Sequence, residues 1–332
     1  MKTKVLLIGP AYFRYNQSIA SAFNPDRFEI KIIEYTEKLG QFNSLNKIAY
    51  FISLKKPDTT LKLLARLNKF ILRTYNLYRP DIVLIIKGDT IKEETISEMK
   101  RSKNILWMLD GIFYHPKSIK LAGKMDAVFL FEKTEVEEVK KLNSNTFYLP
   151  PAFDDQIFKK LPLKKDIDIL FIGVLYESRI KLLEKLCKSF PQLNIKIYCK
   201  RFWFLKTPLK YLKSLTDNTF INRFVTPVEA NVLYNRSKIC LNMHHTQSVY
   251  GINPRFFEIL GAKALQFVDH KLFIDEFFSG HNVQTYKNED ELFLMIDQQL
   301  TNNSEQVNNK LYDTVSKYHT YKNRVEYILG KV

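Results

Sequence analysis

Short apolar runs alternate with helical patterns along most of the chain, and this alternation limits the folds that are open to it. The runs are Lys4–Ile8, Phe28–Tyr35, Asp81–Ile86, Asn104–Leu109, Ala127–Phe131, Asp168–Ile172, Asn194–Tyr198, Thr219–Val225 and Ile239–Met243. Runs of this length between helices are typical of strands in a parallel sheet, because the helices bury both faces of such a sheet. The sequence therefore predicts the α/β class with doubly wound parallel sheets.

The length of the chain indicates two domains. Its 332 residues exceed what one hydrophobic core usually holds, and 45% of them are hydrophobic, which is enough for two cores. The strand and helix pattern stops at Tyr148–Phe153 (YLPPAF), where adjacent prolines can continue neither element, and it restarts at Asp168. We therefore expect one Rossmann-like domain over residues 1–150 and a second from residue 151, facing each other across a cleft.

Four residues lie just past predicted strand ends in the first domain: Gly9, Lys87, Asp89 and Asp110. Open parallel sheets bind their ligands in the crevice at the carboxyl ends of the strands. These residues are therefore candidates for a binding site. Asp110 has a second interpretation, because it begins an Asp-Gly pair that is typical of a tight turn.

The segment Ser248–Asp269 (SVYGINPRFFEILGAKALQFVD) is the most informative about function. A loop with Gly251 and Asn253 leads into an apolar helix, on which Arg255 and Glu258 lie one turn apart. The start of a helix offers unpaired N–H groups and a positive dipole end to an anion. With a guanidinium and a carboxylate beside it, this start would suit the phosphates and ribose hydroxyls of a sugar nucleotide. An ordinary capped core helix has the same pattern.

Several enzyme classes are disfavoured because their patterns are missing. Neither half has the GxGxxG fingerprint of a nicotinamide dehydrogenase, and no G-x-S-x-G sequence indicates a hydrolase.

His244 and His245 are adjacent, so their side chains would point apart on a strand, and no cysteine or carboxylate lies at zinc-ligand spacing. His244 stays a candidate for lining a nucleotide pocket.

The net charge of +16 indicates anionic partners. Residues 41–80 contain eight basic residues and the single acid Asp58, with apolar residues between them at helical spacing. This pattern predicts an amphipathic basic helix that suits an anionic membrane surface or a lipid-diphosphate acceptor. A second basic and aromatic patch covers Lys200–Lys213. Solvated helix faces are the alternative for both.

Nucleic acid would be attracted by the same charge, but no binding module accompanies it, so no nucleic-acid partner is expected. Three cysteines without a CxxC pair fit a reducing cytoplasm. No apolar run is long enough to cross a bilayer, and the first residues lack the features of a signal peptide. The expected location is the cytoplasm, with peripheral attachment to the inner face of the cytoplasmic membrane.

Four segments of the second half together resemble the group 1 glycosyltransferases. They are FIGVLYESR, SKICLNMHH, NPRFFEILG and HTYKNRVEYIL. The likeness is strongest to the CgeB-like, spore-maturation-protein branch, and in the first half it rests on IIKGD and WMLDG. The resemblance implies a GT-B fold, with an acceptor domain over residues 1–150, a nucleotide-sugar domain over 151–310, and a final helix within 311–332 that crosses back to the first domain.

The resemblance also implies roles for individual residues. Glu258 matches the glutamate that binds the ribose, and Gly251 matches a glycine before it. Eight positions before Glu258, where the group has a second glutamate that touches the transferred sugar, this chain has Tyr250. The departure leaves the identity of the sugar and the catalytic details open.

Arg179 matches a basic residue of the group that grips the donor diphosphate. The neighbouring arginine of the group is Val174 here, and Arg255 can replace it because its guanidinium offers the same bidentate geometry. The predicted donor side is Gly173, Tyr176, Arg179, His244, Tyr250, Gly251, Asn253, Arg255 and Glu258. Arg179, Arg255 and the loop amides would stabilise the charge on the leaving phosphate, so neither a metal nor another cofactor is expected. Asp110 would orient or deprotonate the acceptor hydroxyl.

The sequence thus predicts a glycosyltransferase that moves a sugar from a nucleotide donor to a glycan, a lipid-linked molecule or a protein. The broad group implies retention at the anomeric carbon. Two alternatives stay open at this point. In the first, the chain is a non-catalytic GT-B protein that only binds a glycan or nucleotide. In the second, it binds nucleic acid.

Overall fold

The structure is a computed structural model that describes residues 1–11, 13–35, 57–199, 219–244, 248–302 and 308–332, with residues 57–60 described by their backbone alone. These residues form two compact units. Unit 1 comprises the described residues of 1–151, 247–251 and 321–332. Unit 2 comprises those of 152–246 and 252–320.

Six strands form the sheet of unit 1, in the order β2-β1-β3-β4-β5-β6. They are β1 Thr3–Gly9, β2 Phe28–Glu34, β3 Ile82–Ile86, β4 Lys103–Trp107, β5 Ala127–Leu130 and β6 Thr146–Tyr148. Every neighbouring pair is parallel, so the carboxyl ends of all six strands lie along one edge. The loops that follow β1, β3 and β4 are therefore neighbours.

Among the described residues, five α-helices accompany these strands. They are α1 Tyr15–Ser21, α2 Pro57–Tyr78, α3 Glu93–Glu98, α4 Pro116–Ala122 and α5 Val136–Lys140. Leu63, Leu67, Ile71 and Tyr75 recur every fourth residue of α2 and are buried in the core of unit 1. This spacing puts them on one helical face. The basic residues of α2 from Lys62 onward are exposed on the remaining face.

The sheet of unit 2 has the strand order β12-β11-β10-β7-β8-β9, again with every pair parallel. The strands are β7 Ile167–Ile172, β8 Ile195–Tyr198, β9 Phe220–Ile221, β10 Ser237–Asn242, β11 Gln266–Asp269 and β12 Thr285–Tyr286. The helices that the structure describes in this unit are α6 Glu177–Ser189, α7 Pro227–Arg236, α8 Pro254–Gly261, α9 Leu272–Phe277, α10 Glu289–Asn302 and α11 Asn309–Tyr318.

The last helix, α12 Tyr321–Leu329, groups with unit 1. The buried Arg324 of this helix donates through Nε to the Pro150 carbonyl oxygen at 2.8 Å and through Nη2 to that of Pro151 at 3.0 Å. The ring of Tyr321 lies edge-on to Trp107 with centroids 6.3 Å apart. These contacts attach the end of the chain to the unit that contains its beginning.

The predicted α/β class with parallel sheets is confirmed. The strand predicted over Thr219–Val225 is shorter, because the Arg223 N–H turns back to the Ile221 carbonyl and only Phe220–Ile221 pairs in the sheet. Residues 41–56 of the predicted basic region, the patch Lys200–Lys213 and His245 lie outside the described residues. Among the helices that the structure describes, none has the length and apolar character needed to cross a membrane.

Gly261, at the end of α8, packs directly on Phe153 within unit 2. A Cβ added to it would overlap the Phe153 ring, whereas one added to Gly123 in unit 1 would come no closer than 3.7 Å to its nearest neighbour. We expect Gly261→Ala to lower the free energy of unfolding by about 1–3 kcal/mol through overpacking. Chemical denaturation measures this loss. Gly123→Ala is the matched control, and equal stability of the two variants would contradict the packing described here.

Candidate active site

The carboxyl edge of the unit 2 sheet brings four residues together from four strands. Gly173 directly follows β7, His244 comes two residues after β10, Asp269 ends β11 and Tyr286 ends β12. These strands are consecutive neighbours in the sheet, so the four residues lie along a short stretch of one edge. Parallel sheets bind ligands at this edge.

Arg179 lies in the first turn of α6 and is anchored at this edge. Its Nη1 donates to the Val174 carbonyl at 2.8 Å and its Nη2 to the Met243 carbonyl at 2.6 Å. Its Nε is buried and has no hydrogen-bond partner among the described residues. Burial, followed by the charge of Arg255, lowers the pKa of Arg179 to about 10. The guanidinium therefore stays charged at neutral pH.

Helix α8 begins at the same edge with a side-chain cap. The Asn253 Oδ1 accepts the Phe256 N–H at 3.1 Å, and its Nδ2 donates to Asn242 Oδ1 at 2.8 Å. Pro254 fills the first helical position and has no N–H to offer. The helix start thus has fewer open amides than the sequence predicts, and the charge near it comes from Arg255.

Arg255 and Glu258 lie one turn apart on α8. The Nε of Arg255 is buried without a hydrogen-bond partner among the described residues. The Tyr234 hydroxyl donates to Glu258 Oε2 over a long 3.5 Å. Burial raises the pKa of Glu258 to about 7, although Arg255 and Tyr234 oppose the rise. Near neutral pH the carboxyl is therefore close to half ionised.

Arg179 and Arg255 both lie in the first turn of a helix, where the dipole opposes a cation. They are close enough for the charge of Arg255 to lower the pKa of Arg179. Within the described part of the chain, no ion pair forms to either guanidinium. Asp269 acts electrostatically on Arg179, and Arg255 on Glu258, so carboxylates offset part of this repulsion without pairing directly with either guanidinium. The repulsion that remains between the two cations favours a bound anion.

Gly173 and Tyr176 shape the loop before α6. The Gly173 N–H donates to the Tyr198 carbonyl at 3.0 Å. A Cβ at Gly173 would lie 2.9 Å from the Phe171 ring, so this approach requires glycine. The exposed Tyr176 directly precedes α6, and its ring centroid lies 5.1 Å from the Arg179 guanidinium carbon. Both residues therefore lie close to Arg179.

His244 forms a buried pair with Asp269. The Asp269 Oδ1 accepts the backbone N–H of His244 at 2.8 Å and contacts its Nδ1 at 2.7 Å. Burial lowers the pKa of His244, against the effect of Asp269. Burial would raise the pKa of Asp269, but hydrogen bonds from His244 outweigh it and the pKa is lowered. A neutral imidazole beside an ionised carboxylate is the result.

Tyr250 and Gly251 are held within unit 1 by a buried carboxylate. The Glu132 Oε1 accepts the Tyr250 N–H and its Oε2 accepts the Gly251 N–H, each at 3.0 Å. The Lys133 Nζ lies 5.2 Å from the centre of the Tyr250 ring. The Gly251 amide, a predicted phosphate donor, is thus already paired with a carboxylate.

The carboxyl edge of the unit 1 sheet carries a charged cluster. The Lys87 Nζ lies 3.4 Å from Asp110 Oδ2 and 3.8 Å from Asp89 Oδ2. The His115 Nε2 lies 3.8 Å from Asp110 Oδ2, and burial together with Lys87 lowers the pKa of His115. Gly9 ends β1 on the neighbouring strand. The predicted residues Lys87, Asp89 and Asp110 therefore lie together.

Five residues that contact or adjoin the predicted site residues are not indicated by the sequence pattern: Glu132, Asp269, Tyr286, Asn242 and His115. Asp269 ends a short apolar run, and this position at a strand end could have identified it as a candidate site residue. The others depend on which strands are neighbours. In the part of the chain that the structure describes, no group of three or more His, Cys, Asp or Glu side chains could hold a metal ion.

Residues 179–330 match a family model described as glycosyl transferase-like. The chain resembles sucrose-phosphate synthase from Thermosynechococcus elongatus with a TM-score of 0.71, 9% identity and 99% of each chain covered. It resembles HepE of Anabaena in complex with UDP and glucose with a TM-score of 0.66, 11% identity and coverage of 99% of this chain and 100% of HepE.

A third similar structure is a trehalose-6-phosphate synthase, studied for glycosyl transfer with retention. Its TM-score is 0.64 at 10% identity, with 100% of this chain and 99% of the synthase covered. No curated protein sequence matches the chain. At these identities the structural likeness concerns the fold, which all three proteins share with this chain over at least 99% of its length.

Replacement of Glu258 by glutamine should change how stability depends on pH. Because the folded-state pKa of about 7 exceeds the ordinary value of 4.5, the folded protein binds this proton more tightly than the unfolded chain. This stabilisation is complete below the ordinary value and is lost as pH rises to about 7. Glu258→Gln should have the same free energy of unfolding as the wild type at pH 4 and a higher one at pH 8, by at most about 3 kcal/mol.

Denaturant titrations at the two pH values measure this difference. Glu94→Gln, on the exposed surface of α3, controls for loss of a carboxylate elsewhere. Parallel pH profiles of wild type and Glu258→Gln would show that the Glu258 carboxyl is not buried as described.

Proposed function

We propose that this chain, which has the fold of the similar structures, is a GT-B glycosyltransferase that transfers a sugar from a nucleotide-sugar donor to a hydroxyl group of an acceptor. The match of residues 179–330 to a glycosyl transferase-like family model supports this proposal. One observation carries the proposal: Arg179 and Arg255 lie close together at the carboxyl edge of the unit 2 sheet, each in the first turn of a helix. The UDP and glucose bound by the similar HepE support a nucleotide-sugar donor.

The donor diphosphate would lie against the two guanidiniums. Each has a buried Nε–H without a partner among the described residues, and each stands where a helix dipole attracts anions. When the bond from the anomeric carbon to the diphosphate breaks, negative charge develops on the leaving phosphate. Arg179 and Arg255 would stabilise that charge, so the proposed reaction uses side-chain cations and needs no metal ion.

Glu258 would bind the ribose of the donor. It lies one turn after Arg255, and its carboxylate can accept hydrogen bonds from two neighbouring hydroxyls. Its pKa of about 7 means that ionisation occurs near neutral pH. Asn253 and Gly173 would keep the backbone of this edge in place, through the α8 cap and the loop before α6.

The acceptor would bind at the charged cluster of unit 1. Asp110 is the proposed base or orienting group for the acceptor hydroxyl, because its side chain is 59% exposed and therefore within reach of a substrate. Lys87 and Asp89 would bind neighbouring polar groups, and Gly9 borders the same edge. We propose a glycan, a lipid-linked molecule or a protein as the acceptor.

Retention at the anomeric carbon is part of the proposal. The resemblance to the group 1 enzymes implies it, and the similar trehalose-6-phosphate synthase is described as transferring with retention. Tyr250 stands where the group has a sugar-contacting glutamate, so any retaining step here proceeds without that carboxylate. The coupling constant of the anomeric proton in the NMR spectrum of the product reports the configuration at the anomeric carbon. A configuration opposite to that of the donor would exclude retention.

A peripheral position on an anionic membrane, on the cytoplasmic side, is also proposed. Lys62, Arg66, Lys69 and Arg73 are exposed on α2 and follow each other at intervals of four, three and four residues. This spacing aligns four cations on the helical face opposite the buried one. The aligned charge supports attraction to anionic lipid and so favours a membrane-borne acceptor.

Arg255→Ala should weaken binding of the nucleoside diphosphate, because one desolvated cationic donor is lost. We expect a 10-fold to 100-fold rise in the dissociation constant, from about 1.5–3 kcal/mol for a hydrogen bond to a charged group. Calorimetric titration with UDP, GDP and CDP measures it. Because Arg255 has no ion-pair partner among the described residues, the free energy of unfolding without nucleotide should change by less than about 1 kcal/mol.

Two further variants sharpen this test. Arg223→Ala removes an exposed arginine of the same unit, which pairs with Glu229 at 2.9 Å, and should leave nucleotide affinity unchanged. Asp110→Asn should reduce turnover while nucleotide affinity stays the same. Absence of binding by the wild type to every nucleotide tested would refute the proposed donor site.

Reversal of the four cations on α2 to glutamate should abolish binding to vesicles with anionic phosphatidylglycerol. The attraction depends on aligned charge, so high salt should also weaken it. Sedimentation with vesicles measures the bound fraction, and neutral phosphatidylcholine vesicles show the charge dependence. The control reverses four exposed lysines of the same unit, Lys117, Lys120, Lys140 and Lys141. Equal loss in both variants would indicate attraction by net charge, without a special role for α2.

A further inference from the structure

Three buried polar atoms at the carboxyl edge of unit 2 lack hydrogen-bond partners within the described parts of the chain. They are His244 Nε2, the Tyr286 hydroxyl oxygen and Arg179 Nε. Buried polar groups in folded proteins are almost always paired, because leaving one unpaired costs its full desolvation. Three unpaired groups along one short stretch of a sheet edge therefore indicate a site that a polar ligand completes.

The hydrogen-bonding character of His244 follows from its contact with Asp269. The Asp269 Oδ1 lies 2.7 Å from Nδ1 and also accepts the His244 backbone N–H. An ionised carboxylate has no proton to donate, so the imidazole proton must be on Nδ1. The side chain of His244 is fully buried, which favours the neutral ring. Its Nε2 therefore presents a lone pair and accepts a hydrogen bond.

Tyr286 contributes the complementary donor. Its backbone is in register with Asp269 on the neighbouring strand, so both side chains project from the same face of the sheet. Burial and the charge of Asp269 raise the pKa of Tyr286, against the effect of Arg179, so its hydroxyl keeps the proton. Arg179, His244 and Tyr286 thus present two donors and one acceptor beside the Asp269 carboxylate.

We propose that His244 and Tyr286 bind hydroxyl groups of the transferred sugar, with Asp269 as the positioning residue that fixes the His244 tautomer. This inference rests on the proposed function. A phosphate has only acceptor oxygens at neutral pH and would be repelled by the Nε2 lone pair, so His244 must accept from a donor of the ligand, either a hydroxyl or an N–H of the base. Because the base is present in both ligands, comparing a diphosphate with its nucleotide sugar separates the two. Glu258 is assigned to the ribose hydroxyls. The hydroxyls that remain on a nucleotide sugar belong to the sugar itself.

The assignment also fits the departure at Tyr250. The group 1 enzymes that the chain resembles use a glutamate there to contact the transferred sugar, whereas Tyr250 is buried and its amide donates to Glu132. His244, which follows β10, and Tyr286, which ends β12, would bind the sugar hydroxyls instead. Recognition of the sugar would then depend on residues at the carboxyl ends of β10 and β12, and not on the loop that contains Tyr250.

The test compares a nucleoside diphosphate with the corresponding nucleotide sugar. Tyr286→Phe removes only the hydroxyl oxygen, and His244→Leu removes the acceptor while keeping an apolar side chain. Affinities of wild type and variants for UDP and UDP-glucose, and for GDP and GDP-mannose, are measured by calorimetry. We expect each variant to bind the nucleotide sugar about 3-fold to 10-fold more weakly, with unchanged affinity for the diphosphate.

Asp269→Asn should show the same sugar-dependent loss, because an amide no longer requires the Nδ1 proton that leaves Nε2 as an acceptor. Equal losses for diphosphate and nucleotide sugar would overturn the inference, since these residues would then act on the nucleotide part. Unchanged affinity of Tyr286→Phe for both ligands would overturn it as well, and this variant is the least disruptive to folding. If the wild type binds neither ligand of either pair, the proposed function itself fails, and the inference fails with it.

Discussion

Repulsion between two guanidiniums at one sheet edge is the interaction on which the functional account depends. Arg179 and Arg255 stand near the starts of different helices, and both helix dipoles oppose them. Burial adds a further penalty, visible in the lowered pKa of Arg179. The free energy of folding of an ordinary protein is large enough to offset this penalty, but the fold itself does not require the two cations to lie there. The negative charge of a diphosphate between the two cations would offset their mutual repulsion, the opposing helix dipoles and the cost of burial.

The fold makes this juxtaposition possible through parallel strands. Because β7 and β10 are neighbours and run the same way, the helix after β7 and the helix after β10 begin at the same edge. Two hydrogen bonds from Arg179 to carbonyls fix its position beside β10, and the Asn253 cap fixes the start of α8. The same geometry in unit 1 brings Lys87 and Asp110 together from β3 and β4. Each cluster thus follows from strand order and short connections.

Much of this could be predicted from the sequence, and the rest could not for identifiable reasons. Apolar runs indicated the strands, and residues at their ends, such as Lys87 and Asp110, were candidates from position alone. The pair His244 and Asp269 depends on β10 and β11 lying side by side, which the hydrophobic pattern does not specify. Glu132 was missed because its partners, the amides of Tyr250 and Gly251, are more than a hundred residues away in the chain.

A crystal structure of the protein soaked with UDP, and separately with GDP, would test the central claim most directly. The account predicts that the diphosphate of whichever nucleotide binds lies between the guanidiniums of Arg179 and Arg255, with the ribose hydroxyls within hydrogen-bond distance of Glu258. A nucleotide bound elsewhere, or a bound nucleotide whose phosphates contact neither arginine, would contradict it.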